Sequence, residues 1–478
     1  MQPIKRYRYW IALALLVLPV LVRGLWFYQW FSSQPRIKAP DYAANTIPQP
    51  PLSTAATEPV KLAEGKVVVV DELHNNQFAP DQVDSLFSAL TRRGARVEVA
   101  SGDPSLAVRL KYASTYLVFS PTLSFSTDEI NAVRSFVAGG GRLIVFTDPT
   151  HGLISTDYFT GMPSSQPDVD TANDLLAPFG LSVRNDYLYN LVKNEGNFRN
   201  ILFGKFGSNA LTNGLGQVAL YGVHSIDTVD GTPLLIGDAN TYSSQTDSAG
   251  AGMAAAALSA DGGVLAMGDF TFLVPPYDSV ADNAVLIDHI ADFALGGTRT
   301  HSVANFPYVF DQTVYVVPTG GMRMTADVLG PFANLQTALR VTNTSLLVKD
   351  TPPATGDLLV IGTLQGDVAA SPDLLPYIDS FGLNFDDPTT IVIPNFGTVD
   401  RSGVGLLLYQ HSASRNILVL LTDTPDDLPS LIDLLASGSL ESCVVQGEVG
   451  VCGIGSGNNY FGQSSPGFSP TETPTPAG

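Results

Sequence analysis

Two stretches decide the fold: Lys66-Val67-Val68-Val69-Val70-Asp71-Glu72-Leu73-His74 and Arg142-Leu143-Ile144-Val145-Phe146-Thr147-Asp148. Each is a short apolar run that ends in a carboxylate. Continuous runs of this length, bounded by polar residues, are the pattern of strands covered on both faces, as in a parallel sheet flanked by helices. Between them the period changes. Asp81 to Arg93 sets Val83, Leu86, Phe87 and Leu90 on one helical face, and Gly94 stops it. Arg96–Ala100 and Tyr116–Phe119 read as further strands. Ser126-Thr127-Asp128-Glu129 is a capping box, in which a hydroxyl and a carboxylate satisfy first-turn amides. The helix after it buries Ile130, Val133, Phe136 and Val137 and ends at Gly139-Gly140-Gly141. The alternation predicts an α/β fold with a doubly wound parallel sheet.

From Pro149 to Ala249 the chain is rich in Asn, Gly and Ser. It holds one helical pattern, Asp170–Phe179 before Gly180, and short strand patterns such as Thr232–Gly237. This predicts an insertion, about 150–250, laid over the C-terminal edge of the sheet. Order returns at Gly262–Phe270, a strand ending in Asp269. A helix capped by Asp282 follows, with Leu286, Ile287, Ile290 and Ala294 on its face. Residues 65–300 therefore read as one α/β domain. The alternation resumes in 301–462 as a second, smaller α/β domain. Its strands are expected at Val314–Val317, Leu358–Ile361, Thr390–Ile393, Val404–Tyr409 and Ile417–Leu421, its helices at Ala326–Leu339, Pro372–Phe381 and Asp426–Ala436. No regular sequence period relates the two domains.

The flanks speak about compartment. Residues 1–8 carry Lys5, Arg6 and Arg8, and 9–31 are almost wholly apolar, with Trp10, Trp26, Tyr28 and Trp30 where interfacial aromatics sit. Such a segment is long enough to span a bilayer, and the preceding positive charge places the N-terminus inside and the remainder outside, a single-pass membrane protein. The competing reading, a cleaved signal peptide, lacks a small-x-small site at the usual distance. Residues 32–64 form a Pro-rich linker, and 463–478 a Pro/Thr/Ser tail expected to be disordered. Cys443 and Cys452, the only cysteines, are spaced to close a hairpin by a disulfide, which suits an extracytoplasmic compartment. With 45 acidic against 25 basic residues, a net charge of −20, the chain lacks the basic face nucleic-acid binding requires.

Three segments resemble a known family: VVVVDELHNNQF (67–78), the strand-turn-helix-strand from Tyr116 to FVAGGGRLIVFTD at Asp148, and GGVLAMGDFTFL with DNAVLIDHIADFALGG between Gly262 and Gly297. Together they resemble the class I glutamine-amidotransferase-like domain of unknown function numbered 4350, with relatives among gliding-motility and ABC-transporter accessory proteins. The resemblance covers residues 66–297. It implies a flavodoxin-like, class I amidotransferase-like doubly wound parallel sheet that has lost its chemistry. A glutaminase needs a cysteine at a strand-to-helix elbow, and the matching turn here reads Ser120-Pro121-Thr122-Leu123. Ser120 or Ser124 as a nucleophile would lack the G-x-S-x-G context.

In open α/β sheets ligands bind beyond the carboxyl ends of the strands. Asp71, Glu72, His74, Asp148 and Asp269 should fall there, with Asn283 and His151 nearby. This set would suit a divalent cation or the hydroxyls of a sugar. The plainer reading is that the acids cap backbone amides at the strand ends. Neither a P-loop, HExxH nor an EF-hand loop is present, so no cofactor is implied; Asn343-Thr344-Ser345 is a glycosylation sequon by pattern. The sequence thus leads to an anchored extracytoplasmic protein that binds a partner protein or a cell-surface polysaccharide without catalysis. The alternatives are a metal- or carboxylate-dependent hydrolase acting on carbohydrate, and an accessory subunit of an ABC-type transporter.

Overall fold

The computed structural model describes residues 4–28, 50–55, 60–151, 153–156, 163–166, 168–246, 252–365, 371–412, 414–438, 440 and 442–454. The expected tail at 463–478, and the expected linker apart from 50–55 and 60–64, lie outside them. Contacts divide the chain into two units, Met1–Gln49 and Pro50–Gly478.

The first unit holds helix α1 (Ile4–Phe27), which includes Pro19. Its stretch Tyr7–Phe27, 21 residues, is long and apolar enough to cross a membrane and has no buried residue. It begins and ends earlier than the expected 9–31 segment, and residues 29–31 lie outside the description.

In the second unit, β1 (Val67–Asp71) leads to α2 (Asp84–Arg92), β2 (Arg96–Ala100), α3 (Leu106–Leu110), β3 (Thr115–Phe119), α4 (Thr127–Ala138) and β4 (Arg142–Phe146). There follow β5 (Leu153–Thr156), β6 (Pro163–Gln166), α5 (Val169–Leu176), β7 (Leu181–Val183), β8 (Leu188–Asn190), β9 (Asn200–Phe203), β10 (Val218–Tyr221), β11 (Ile226–Thr228), β12 (Thr232–Ile236) and β13 (Thr241–Ser243). Strands β14 (Ala254–Leu258) and β15 (Val264–Met267) and helix α6 (Asn283–Leu295) complete this part. The main sheet runs β2-β1-β3-β4-β15-β14-β11-β7, with β12 also on β14. Successive residues of β1 point to opposite faces, as the period of two requires. Val68 and Val70 pack with Leu86 and Leu90 of α2 and Ile287 and Ile290 of α6. Val69 packs with Leu110 of α3, Val133 and Phe136 of α4 and Leu175 of α5. Helices thus cover both faces.

The sheet is mixed rather than wholly parallel. Strands β2, β1, β3, β4 and β15 run parallel; β14 runs antiparallel to β15. The cause is local. Ala260-Asp261-Gly262 is a tight reversal in which Gly262 has φ +68° and Ser259 N–H donates to the Val264 carbonyl at 2.9 Å, and a connection this short can only join antiparallel strands. The insertion also departs from expectation. Besides its two-stranded ribbons β9–β10, β8–β13 and β5–β6, it contributes β7, β11 and β12 to the sheet itself. Helix α3 is too short for a periodic signal.

The capping box of α4 forms as read: Glu129 N–H donates to Ser126 Oγ at 3.3 Å and Ser126 N–H to Glu129 Oε2 at 2.8 Å. Asp282 does something else. It makes no cap bond to α6. Its Oδ1 accepts from Thr54 N–H (2.7 Å), Ala55 N–H (3.0 Å) and Ser53 Oγ (2.9 Å), and its Oδ2 from the amides of Gly216 (2.7 Å) and Gln217 (2.9 Å). One buried carboxylate therefore pins the described linker residues 53–55 to the domain. Those amides outweigh the upward push of burial and hold its pKa at about 2.

The second sheet comprises β16 (Val314–Pro318), β17 (Leu346–Val348), β18 (Asp357–Thr363), β21 (Val404–Ser412), β22 (Arg415–Thr422), β23 (Cys443–Gln446) and β24 (Val449–Gly453). Between them lie α7 (Ala326–Leu339), α8 (Leu375–Ile378), the hairpin β19 (Thr390–Ile393) with β20 (Gly397–Asp400), and α9 (Leu428–Ser437). Its order is β17-β16-β18-β22-β21-β24-β23, parallel through β22 and antiparallel beyond. Helices α7 and α9 cover one face; α8 and the β19–β20 hairpin cover the other. Cys443 and Cys452 are directly opposite in the β23–β24 ladder and are joined by a disulfide.

Candidate functional site

Strands β1, β3, β4 and β15 deliver their last residues to one edge of the main sheet because they are parallel. The acids read from the sequence settle there as two separate groups.

The first group is Asp71, His74 and Glu129. Asp71 ends β1 with no exposed surface. The Leu73 amide returns to its Oδ1 at 3.3 Å, so the turn after β1 lifts His74 back over the carboxylate. His74 Nδ1 lies 3.1 Å from Oδ1 and 2.9 Å from Oδ2, and must donate. Its Nε2 faces Glu129 Oε1 at 3.5 Å, and its ring stacks on Phe125, centroids 3.7 Å apart. Burial pushes the imidazole down; the hydrogen bond and charge of Asp71, joined by Glu129, outweigh it and hold His74 above its ordinary value. Burial, with Asp71 next in weight, drives the wholly buried Tyr116 hydroxyl well above the usual phenol range. Glu129 thus serves both α4 and His74. The sequence revealed only the first role, because the second depends on α4 starting beside the end of β1. Glu72 is exposed and stands apart from this chain.

The second group is Asp148, Asp269 and His151. Asp148 Oδ1 accepts from Thr150 N–H (2.8 Å) and Oγ1 (2.6 Å), and its Oδ2 from Thr271 Oγ1 (2.8 Å) and N–H (3.2 Å). His151 Nδ1 lies 3.3 Å from Oδ2. Asp269 accepts from Tyr221 N–H at Oδ2 and Thr271 N–H at Oδ1, both at 2.7 Å. The two carboxyls meet at Thr271. Burial, reinforced by Asp148, raises Asp269 well above the carboxylate range. Burial also pushes on Asp148, but His151 and Thr150 win and hold it low. The two carboxyls are thus pushed apart, Asp269 toward holding its proton and Asp148 toward losing it. Asn283 belongs to neither group: its amide clamps the backbone of Ala219 in both directions and donates to the Tyr277 carbonyl.

Ser120 stands at the elbow after β3. It is fully buried and has φ +38°, a left-handed conformation that a residue with a Cβ rarely adopts. Among the described residues its Oγ has no hydrogen-bond partner, while its carbonyl accepts from Gln77 N–H at 3.0 Å. Among the described residues no group of three or more His, Cys, Asp or Glu is placed to hold a metal ion.

Residues 75–277 match the family described as a domain of unknown function, DUF4350. The match spans less than half of the chain and takes in His151, Asp148, Asp269 and Ser120, while Asp71 and His74 lie just before it. No curated protein matches the chain. Among solved structures, the mmIFT52 N-terminal domain is similar at 11% identity, covering 48% of this chain and 97% of that one, with a TM-score of 0.39. A ThuA-like protein from Bacteroides uniformis is similar at 12% identity over 49% of this chain and 93% of its own, TM-score 0.30. A β-galactosidase from Rahnella sp. R3 shares 14% identity over 43% of this chain and 29% of its own, TM-score 0.26. Likenesses this distant bear on no individual residue of the site.

Proposed function

We propose that this is a membrane-anchored, extracytoplasmic, non-catalytic binding protein, descended from an amidotransferase-like sheet, whose strand-end rim engages a partner protein or a cell-surface polymer. The observation that supports it best is the way the strand-end carboxylates are engaged. Both oxygens of Asp148 and both of Asp269 accept from backbone or hydroxyl donors of the domain, from Thr150, Thr271 and Tyr221. Carboxyls so engaged have both oxygens occupied and hold the rim rigid, which suits recognition. Helix α1 as an uncleaved anchor, N-terminus inside, and the disulfide of β23–β24 support placing the bulk of the chain outside the cytoplasm.

The hydrolase reading draws on one feature, a carboxyl pair whose proton affinities are pushed in opposite directions, which is how acid and base roles are set in some glycosidases. Against it, Asp148 and Asp269 have no exposed surface. The transporter-accessory reading draws on the family resemblance alone. The test is a panel of cell-surface polysaccharides offered to the full-length protein in detergent micelles, read both for saturable binding and for release of reducing ends. Saturable binding without release supports the proposal. Release that disappears in Asp148→Asn would replace it with the hydrolase.

A further inference from the structure

The connector from α6 to β16 joins the lobe that carries the main sheet to the lobe that carries the second sheet. Among the described residues no strand of one sheet pairs with a strand of the other, so loops and side chains hold the junction. The start of the connector is clamped to the first lobe. Thr300 N–H donates to the Gly139 carbonyl at 2.8 Å, and a Cβ on Gly140 would collide with the Thr298 carbonyl. Its later residues belong to the second lobe, where Val303 and Phe306 pack with Leu407 and Cys452. Contacts cross back where Lys111 Nζ donates to the Phe306 carbonyl at 3.3 Å and the rings of Tyr112 and Tyr308 meet at 4.8 Å.

Main-chain carbonyls hold the cations of this junction. Lys66 Nζ donates to the Gly297 carbonyl at 2.7 Å, and Arg299 donates to the carbonyls of Phe136 (2.7 Å) and Leu110 (3.2 Å). These carbonyls, at the ends of α3, α4 and α6, satisfy the donors with partial charge only. Burial brings Arg299 down to about 10. His301 lies between the two clamped ends, half-buried, and its Nδ1 is enclosed with no hydrogen-bond partner among the described residues. The charged and titratable groups facing it are Arg299 and Lys66 from the first lobe and Asp311 and His411 from the second. A neutral imidazole fits this place. A protonated one sets another positive charge beside Arg299 and leaves a buried N–H donor without an acceptor.

We infer that this junction is an acid-opened hinge: proton uptake by His301 frees the connector from α3 and α4 and lets the second lobe swing away from the first. Histidine is the side chain suited to such a switch, because its charge changes near neutral pH. Burial pushes the His301 imidazole down, Arg299 adds to this, and Asp311 opposes it. The docked imidazole thus binds its proton less tightly than the freed one. Docking is therefore unaffected at pH 8 and begins to weaken as pH falls through the freed value near 6.5. It goes on weakening until the docked imidazole itself takes up a proton. A single proton changes the open-to-docked ratio by at most about tenfold per pH unit. The hinge stands apart from whatever the strand-end rim binds.

The experiment measures the distance between spin labels on full-length protein in detergent micelles, frozen at pH values from 8 to 5. The labels go on Val229→Cys in the first lobe and Val341→Cys in the second, at sites 81% and 67% exposed; the native cysteines are joined to each other and stay unlabelled. Expected is one distance at pH 8, joined below about pH 6.5 by a longer one. The ratio of longer to shorter should rise by up to about tenfold per pH unit and reverse on neutralisation. His301→Gln should keep the pH 8 distribution at pH 5, and His301→Arg should show the longer distance already at pH 8. Either variant decides the matter should the other fail to fold. An unchanged distance across the range overturns the inference, as does an acid response that survives His301→Gln or vanishes in His411→Gln.

Discussion

His74 and Asp71 form a buried pair, Nδ1 to Oδ2 at 2.9 Å, that ties the turn after β1 to the strand it leaves. Because the folded His74 binds its proton more tightly than the unfolded one, its contribution is fully present below the unfolded value near 6.5 and is lost as pH rises through the raised folded value. Urea midpoints should therefore fall from about pH 6.5 upward, and His74→Gln should flatten that fall. Asp71→Ala, which leaves a buried imidazolium without its partner, should cost about 3–5 kcal/mol.

Asp148 and Asp269 should respond oppositely to acid. Asp269, with its raised folded pKa, favours folding at low pH and loses that advantage as pH rises from about 3.8, while Asp148, held low, contributes above 3.8 and fails as pH falls further. Asp269→Asn gives up one of its two acceptors, a cost of about 1–3 kcal/mol, and should remove the first slope. Asp148→Asn loses charge-assisted bonds to Thr150 and Thr271 and should cost more. Denaturant titrations between pH 2 and 8 distinguish the two.

Asp282→Asn weakens five bonds at once, two of them to linker amides. Each bond to a charged acceptor contributes about 1.5–3 kcal/mol, so the amides of Thr54 and Ala55 should exchange with solvent at least tenfold faster than in the parent. Unchanged exchange there would show that the linker docks without the carboxylate.

Much of this was legible in the sequence, and the reasons are physical. Every residue of β3 is buried and only the first of β4 is not, so continuous apolar runs announced them. Helix α7 occupies the expected 326–339, and the cap of α4 is written within four residues. What stayed hidden depends on partners remote in sequence. Strands β7 and β11 have three residues each and acquire meaning only beside each other and β14. Asp282 looked like a cap because its acceptor role is local chemistry, whereas its donors lie 227–229 residues upstream and 65–66 upstream. The strand-end acids were placed at the correct edge. Their division into two groups follows from which loops supply donors, and no spacing encodes that.

Ser120→Gly should stabilise the domain by about 1 kcal/mol, since the left-handed φ of +38° is costly with a Cβ and its buried hydroxyl has no hydrogen-bond partner among the described residues. Equilibrium denaturation measures this directly. A destabilised variant would mean that the hydroxyl has a partner in solution.

Removing both cysteines, Cys443→Ser with Cys452→Ser, frees a loop closed over a sequence separation of 9. The chain-entropy argument puts the loss at about 2–3 kcal/mol. The melting temperature of the double variant should match that of the parent under reducing conditions.

The docking of Ser53, Thr54 and Ala55 on Asp282 also decides how the molecule bears load. Tension arriving along the polypeptide from the N-terminal side would be met first by the Pro51 carbonyl, which accepts from Ala281 N–H at 2.8 Å, and by that cluster of short donor bonds, next by Lys61 at Asp292 (3.5 Å) and Ala63 N–H at the Arg93 carbonyl (2.7 Å), and only then by the ladder of β1. The attachment is a mechanical fuse: it would yield in steps, lengthening the tether before the sheet is strained.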